Sequence, residues 1–384
     1  MKIVFTVATY WPKQDGVQMV TSYHAETLVK KGHEVVVITS RVANAPDREI
    51  HNGVHIVRAE AYNYLYWHKG DKQDFQKIVL EESQNADALV AVCLQSFAAD
   101  WILPIIKDIS CQKILYMHGM PDFRLHRSDF ISIYNVAKTI FRNIRWSYFY
   151  KRNWAKIKQF DAAIHLFLND NSHRYFKEHG YDKNYIIENS CDRVFFDKES
   201  INEWGCKNKM FLYVGNYCQR KNQIEALRTF YATKSCNISL VFVGSVRNKY
   251  CIDLEKEREN LNKKYGIRDV KILVGLSREE IIKLTQKCYC TIMSSTYEFY
   301  PIVTIESMAS GVPFISTDVG IVRFLPGGII VHSREDMAYW IDLLSSNESI
   351  RNELGNIGKN YAKNHLFIDE KVKQLEEIVS QGKV

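Results

Sequence analysis

The chain has 384 residues, more than one hydrophobic core usually supports, so two domains are expected, each long enough to bury a core of its own. Hydrophobic residues at 46% and charged residues at 25% are ordinary globular values, which exclude a disordered chain and an integral membrane protein. A net charge of +7 without a nucleic-acid-binding motif points to no nucleic-acid partner.

The opening run Ile3 to Ala8 reads as a strand and is too short and weakly flanked for a signal peptide. Strands follow at Glu34 to Ser40, His55 to Arg58, Ala88 to Val92, Ile114 to His118, Ala162 to Leu166 and Tyr185 to Glu188, alternating with helical patterns. The apolar stretch from Ala88 to Ile106 is interrupted by Gln95, Ser96 and Asp100, so it does not span a membrane. The polar stretch Asp197 to Lys209 is the candidate linker. The pattern then restarts with Met210 to Val214, Ser239 to Val243, Val270 to Val274, Cys290 to Met293, Pro313 to Ser316 and Gly328 to Val331, and the charged region from about Asn347 is helical. The fold class is α/β, with two Rossmann-like, doubly wound halves: residues 1–200, residues 201–365, and a last helix in 366–384 that packs back on the first half. Ligands of open parallel sheets sit beyond the carboxyl ends of the strands, so two such domains would face a central cleft. The nine cysteines include no Cys-x-x-Cys pair and the twelve histidines are dispersed, so no metal, cofactor or disulfide framework is expected and the thiols should be reduced. No phosphate loop of the ATPase type is present.

The most informative segment is Ser294 to Pro313. It runs from the strand Cys290–Met293 into a helix from Ile302 to Ser310, closed by Gly311. Pro301 falls at the first turn, where its missing N–H would have no intrahelical partner, and the free amides of Ile302, Val303 and Thr304 would point outward to hold phosphate. Glu298 precedes those amides and Glu306 lies within the helix, so the two carboxylates can accept hydrogen bonds from hydroxyls at opposite ends of a diphosphate ligand. The wording Ser295-x-x-Glu298, seven residues, Glu306, then Ala309-x-Gly311-x-Pro313 resembles the signature of the retaining glycosyltransferases of family 4, which have the GT-B fold. Glycines common after the first Glu in that family are Phe299 and Pro301 here.

Two further segments carry the resemblance. The loop Tyr10 to Gln18, with Gly16, stands where the family has a glycine-rich loop, and Lys30 to Val35 reads Lys-Lys-Gly-His-Glu-Val. In Phe211 to Gln223 the family's Arg after the glycine is Asn216, while Lys221 keeps the position of its lysine. A cation at that helix start is unfavourable unless an anion is bound, which suits a diphosphate, and Arg220 stands ready to compensate for Asn216. His118 ends a strand where the family has a polar residue near the donor sugar. Asn189 and Asp192 resemble a strand-end motif and are given a loop-fixing role, with Phe195 three residues beyond.

The resemblance implies transfer of a sugar, with retention of configuration, from a UDP- or GDP-sugar to a glycan acceptor. The catalytic residues would be Glu298, His118 and Lys221, and the donor-binding residues Gly16, Arg220, Lys221, Glu298, Ile302, Val303 and Glu306. A sugar-nucleotide epimerase on the same scaffold and a non-catalytic sugar-nucleotide binding protein are the rival readings. Residues 124–159 are rich in Lys, Arg and aromatic side chains, with Phe130, Tyr134, Ala137 and Phe141 at helical spacing. That stretch suits peripheral contact with an anionic membrane and a lipid-linked acceptor, as in cell-surface polysaccharide synthesis on the inner face of the cytoplasmic membrane. The competing reading packs the same aromatics into the N-terminal core.

Overall fold

A computed structural model of the chain describes residues 1–13, 15–125, 130, 132–197 and 208–382 and divides into two compact units, Met1–Asn189 with Ile368–Val384, and Ser190–Phe367. The expected linker, most of which is 198–207, and part of the basic stretch, at 126–129 and 131, lie outside the described residues.

The first unit begins with β1 (Lys2–Thr6), α1 (Gly16–Lys30) and β2 (Glu34–Ser40), followed by β3 (Arg48–His51), β4 (Val54–Ala59), β5 (Ala61–Tyr64) and β6 (Trp67–Gly70). It continues through α2 (Lys72–Ser83), β7 (Ala88–Val92), α3 (Phe97–Asp100), β8 (Gln112–Tyr116), α4 (Ile133–Ile157), β9 (Ala162–His165), α5 (Asn171–Glu178) and β10 (Asn184–Ile186). The main sheet has the order β10-β9-β8-β7-β1-β2-β4-β3 and is parallel except for β3 against β4, while β5 and β6 form a separate antiparallel hairpin. Ile3, Val4 and Phe5 of the central strand are fully buried, as both-face burial of a parallel strand requires. The sequence reading missed β3, β5 and β6. Each has four residues, at most one of them buried, and so lacks the apolar run that marks a buried strand.

The second unit comprises β11 (Lys209–Val214), α6 (Gln223–Ala232), β12 (Ile238–Gly244), α7 (Lys249–Tyr265), β13 (Val270–Val274), α8 (Arg278–Lys287), β14 (Cys290–Met293), α9 (Ile302–Ala309), β15 (Phe314–Thr317), β16 (Gly328–Val331), α10 (Arg334–Ser346) and α11 (Glu348–His365). Its six strands are all parallel in the order β13-β12-β11-β14-β15-β16. The chain winds outward from β11 to β13, then crosses back to β14 on the other side of β11. The strand order therefore reverses between β11 and β14, and the loops leaving those two strands flank the crevice where ligands of such sheets bind. In the first unit the corresponding reversal lies between β1 and β7.

The last helix, α12 (Ile368–Gln381), belongs to the first unit and packs on α1. Glu376 there meets both Lys31 and His33 at 2.6 Å, and Lys371 pairs with Glu188 at 3.1 Å.

Candidate active site

The two loops at the β11/β14 reversal carry Arg220, Lys221 and Glu298, and hydrogen bonds to backbone carbonyls tie them together. Thr296 N–H donates to the Arg220 carbonyl at 2.8 Å, the Ser294 hydroxyl donates to the Asn222 carbonyl at 2.7 Å, and the buried Tyr213 hydroxyl donates to the Lys221 carbonyl. Asn222 adopts a left-handed conformation (φ 54°) as the residue before α6, which turns the chain sharply after Lys221. The stem of Lys221 lies over Gly215, where a Cβ would sit 3.5 Å from it.

Lys221 Nζ lies 2.6 Å from Glu298 Oε1, and an Arg220 guanidinium nitrogen is 3.7 Å from the other carboxylate oxygen. The Lys221 contact is an ion pair by distance without hydrogen-bond alignment, so among the described residues Oε1 is buried with no hydrogen bond. Glu298 is 7% exposed and Arg220 about half exposed, so the carboxylate is set inside and the guanidinium at the rim. Asn216, exposed beside them, accepts a hydrogen bond from the Ser245 hydroxyl at 2.6 Å.

Pro301 is the residue before α9 rather than a member of its first turn, since its ψ of 120° is extended. Pro301 gives this end no side-chain cap, and the amides of Ile302 and Val303 lead the helix. Gly311 closes the helix with φ +68°. Glu306, in the second turn, is 2% exposed and bound by both terminal nitrogens of Arg278, one at 3.4 Å and one closer. Arg278 opens α8, and its guanidinium lies 4.9 Å over the ring of buried Phe195. The sequence reading missed Arg278. Its only sign was a cation at the first position of a helix, where it opposes the helix dipole and so calls for an acidic partner. Gly320, also missed, has φ +55° and packs on the motif: a Cβ there would meet the Phe299 carbonyl oxygen at 2.1 Å and that of Glu298 at 2.6 Å.

Two of the expected site residues are in the first unit. Gly16 is the first residue of α1 rather than part of the loop before it. Asp15, in extended conformation, starts the helix there by accepting from Gln18 N–H at 2.9 Å. Gln14 of the same loop lies outside the described residues. His118 does not end β8, which stops at Tyr116; it follows two residues later, beside Gly119 at φ +121°, and stacks on Tyr116 at 4.6 Å. Burial, aided by the nearby His24, pushes its imidazole down to about 3, so it is neutral at physiological pH. Asp192 caps a short helical turn by accepting from Val194 N–H at 3.2 Å, the loop-fixing role expected of it. Among the described residues there is no group of three or more His, Cys, Asp or Glu placed to hold a metal ion.

Two parallel sheets, each flanked by helices and each with its strand order reversed once, define the class: a GT-B protein. Structures of that class superpose on the whole chain. Sucrose-phosphate synthase from Thermosynechococcus elongatus matches with a TM-score of 0.74 and 15% identity over 99% of this chain and 98% of that one. Anabaena HepE, solved in complex with UDP and glucose, matches with a TM-score of 0.73 and 14% identity over 99% and 100%. Residues 195–361 match the family described as glycosyl transferases group 1, and an uncharacterised glycosyltransferase of Methanocaldococcus jannaschii is 23% identical over 94% of this chain and 93% of its own. The chain thus has the GT-B fold and resembles group 1 glycosyltransferases over residues 195–361. An alignment of 182 positions, covering 43% of this chain, is also 28% identical to the Dictyostelium discoideum protein named GDP-Man:Man(3)GlcNAc(2)-PP-Dol alpha-1,2-mannosyltransferase, over 36% of that protein.

Proposed function

We propose that the chain moves a sugar, with retention of configuration, from a nucleotide-diphosphate sugar to a glycan acceptor. The observation that carries this reading is the pairing of Lys221 with buried Glu298 at the strand-order reversal, next to the uncapped start of α9. The second unit is the donor half. Glu298 accepts hydrogen bonds from hydroxyls of the transferred sugar, and Glu306, braced by Arg278, accepts those of the ribose. Lys221, Arg220 and the amides of Ile302 and Val303 take the diphosphate, meeting the charge that grows on it as it leaves. In the reacting step the bond from the anomeric carbon to the phosphate oxygen breaks. The acceptor oxygen bonds to that carbon on the same face, and its proton passes to the released phosphate. Neutral His118 gives the sugar a hydrogen bond rather than a charge, and Gly16 allows close backbone approach.

The nucleotide is uridine or guanosine: HepE is solved with UDP and glucose, and the Dictyostelium relative's name carries a GDP-sugar. That name also carries a Dol-linked acceptor, which supports a lipid-linked glycan as acceptor here. The chain then acts as a peripheral protein on the inner face of the cytoplasmic membrane in cell-surface polysaccharide synthesis. The test is nucleotide release from UDP-, GDP- and ADP-sugars by the purified protein, with and without a lipid-linked saccharide extract. Acceptor-dependent release from one donor is expected. Tight nucleotide binding without release would make this a binding protein, and a changed sugar without acceptor would make it an epimerase.

A further inference from the structure

Helix α4 is packed on one face only. Thr139, Trp146, Tyr150 and Ile157 are buried, and they lie on one side of the helix. On the opposite side Ile133, Ala137, Ile140, Phe141, Ile144 and Tyr148 recur at three- and four-residue intervals and are all exposed, Ile133 by 90% and Ile144 by 65%. Over that span, at 1.5 Å per residue, the stripe is roughly 22 Å long. Monomeric surfaces rarely leave a continuous apolar stripe of this kind facing water.

The β5–β6 hairpin extends the stripe. Arg145 of α4 donates from Nε to the Tyr66 carbonyl at 2.6 Å, and its guanidinium lies 3.7 Å over the Trp67 ring. Tyr66 in turn meets Phe141 with ring centroids 5.9 Å apart. The hairpin thereby presents Tyr64, Leu65 and Trp67, each more than half exposed, beside the helix. Lys69 Nζ sits 3.6 Å over the Tyr64 ring, adding another cation at the edge.

Charge decides what covers this surface. Over its 25 residues α4 carries Lys138, Arg142, Arg145, Lys151, Arg152 and Lys156 and no acidic residue. A second copy of the same face would set these cations against themselves, and an ordinary core would bury them. A surface that is apolar within and negatively charged at its boundary meets both features at once, and an amphipathic helix with a basic flank lies in the plane of such an interface.

We propose that the exposed face of α4 and the β5–β6 hairpin form one docking surface for anionic lipid bilayers. Ile133, Phe141, Ile144 and Trp67 enter the acyl boundary, and Lys138 and Arg152 lie against the headgroups. This deepens, and rests on, the reading of a lipid-linked acceptor, because it names the residues and the lipid class that bring the chain to such a substrate.

The test is flotation of the full chain with vesicles of phosphatidylcholine alone or mixed with phosphatidylglycerol. Wild type should float with the mixed vesicles and not with the neutral ones. Lys138→Glu with Arg152→Glu should weaken partitioning on the order of tenfold or more. Ile133→Ser, Phe141→Ser and Ile144→Ser together should abolish flotation while leaving the thermal unfolding profile unchanged, and Trp67→Ser should weaken it separately through the hairpin. Flotation with neither vesicle, equal flotation with both, or wild-type flotation of the triple variant would overturn the proposal. So would a dimer in lipid-free solution that the triple variant converts to monomer, since a second copy would then be the occupant. Nucleotide release with a water-soluble glycoside acceptor is unaffected by these variants, so a failure of lipid binding and a failure of the transfer reading show up in different assays.

Discussion

Glu298 and Lys221 form one unit, and their substitutions should behave differently. Glu298→Gln keeps the shape, removes the charge, and should lower transfer on the order of a hundredfold with little change in nucleotide affinity, as read from initial rates and equilibrium binding. Lys221→Ala takes the cation from a buried carboxylate, so it should weaken both nucleotide binding and thermal stability. Arg278→Ala strands Glu306 in the same way and should cost the second unit about 3 kcal/mol in denaturant unfolding, with nucleotide binding weakened alongside. Gly320→Ala touches no substrate in this reading, yet it drives a Cβ into the backbone of Glu298 and Phe299. It should therefore lose activity as steeply as a change in the motif itself. The motif residues were legible because their types and spacing recur within a short window. Arg278 and Gly320 act from other loops, and only the fold brings them there.

At the scale of elements, the buried parallel strands were the easiest to read. Glu34–Ser40, Ala88–Val92, Val270–Val274, Cys290–Met293 and Gly328–Val331 fall where their apolar and β-branched runs place them. The short exposed strands β3, β5 and β6 carry no such pattern, and sequence periodicity gave no sign of the hairpin that lies against α4. By sequence alone the basic aromatic stretch suits a membrane surface or the core equally. Its helix divides the two, with Trp146 and Tyr150 inside and Phe141 and Tyr148 outside. Close helix packing in the second unit depends on glycine. A Cβ at Gly355 of α11 would lie 2.3 Å from the carbonyl oxygen of Gly311, at the end of α9. Because backbone cannot move aside as a flexible side chain can, Gly355→Ala should destabilise the protein by about 1–3 kcal/mol, measured as a fall in the midpoint of chemical unfolding.

For the whole molecule, the two units should respond differently to acid. His24, His118 and His165 all lie in the first unit, and burial pushes them from 6.5 down to about 4, 3 and 4 respectively. Between these values and 6.5 the unfolded chain binds more protons than the folded one, so stability rises with pH across that window and is lost as pH falls through it. The first unit should lose on the order of several kcal/mol between about pH 6.5 and 4 and unfold before the second. Tryptophan fluorescence is a suitable probe because Trp11, Trp67, Trp101, Trp146 and Trp154 are all in the first unit. Equal loss in both units, followed by calorimetry, would count against this account. The two-part architecture itself was legible because the alternation of strand and helix restarts after the polar stretch near residue 200.

The placement of α12 also bears on how the protein is made. The segment that covers α1 is translated only after the whole of the second unit, so throughout the synthesis of that unit the first still exposes the face that α12 will cover. A chain cut before Ile368 would therefore keep every residue of the second unit and lack the helix that covers α1, and the first unit would be the half that calls on chaperones.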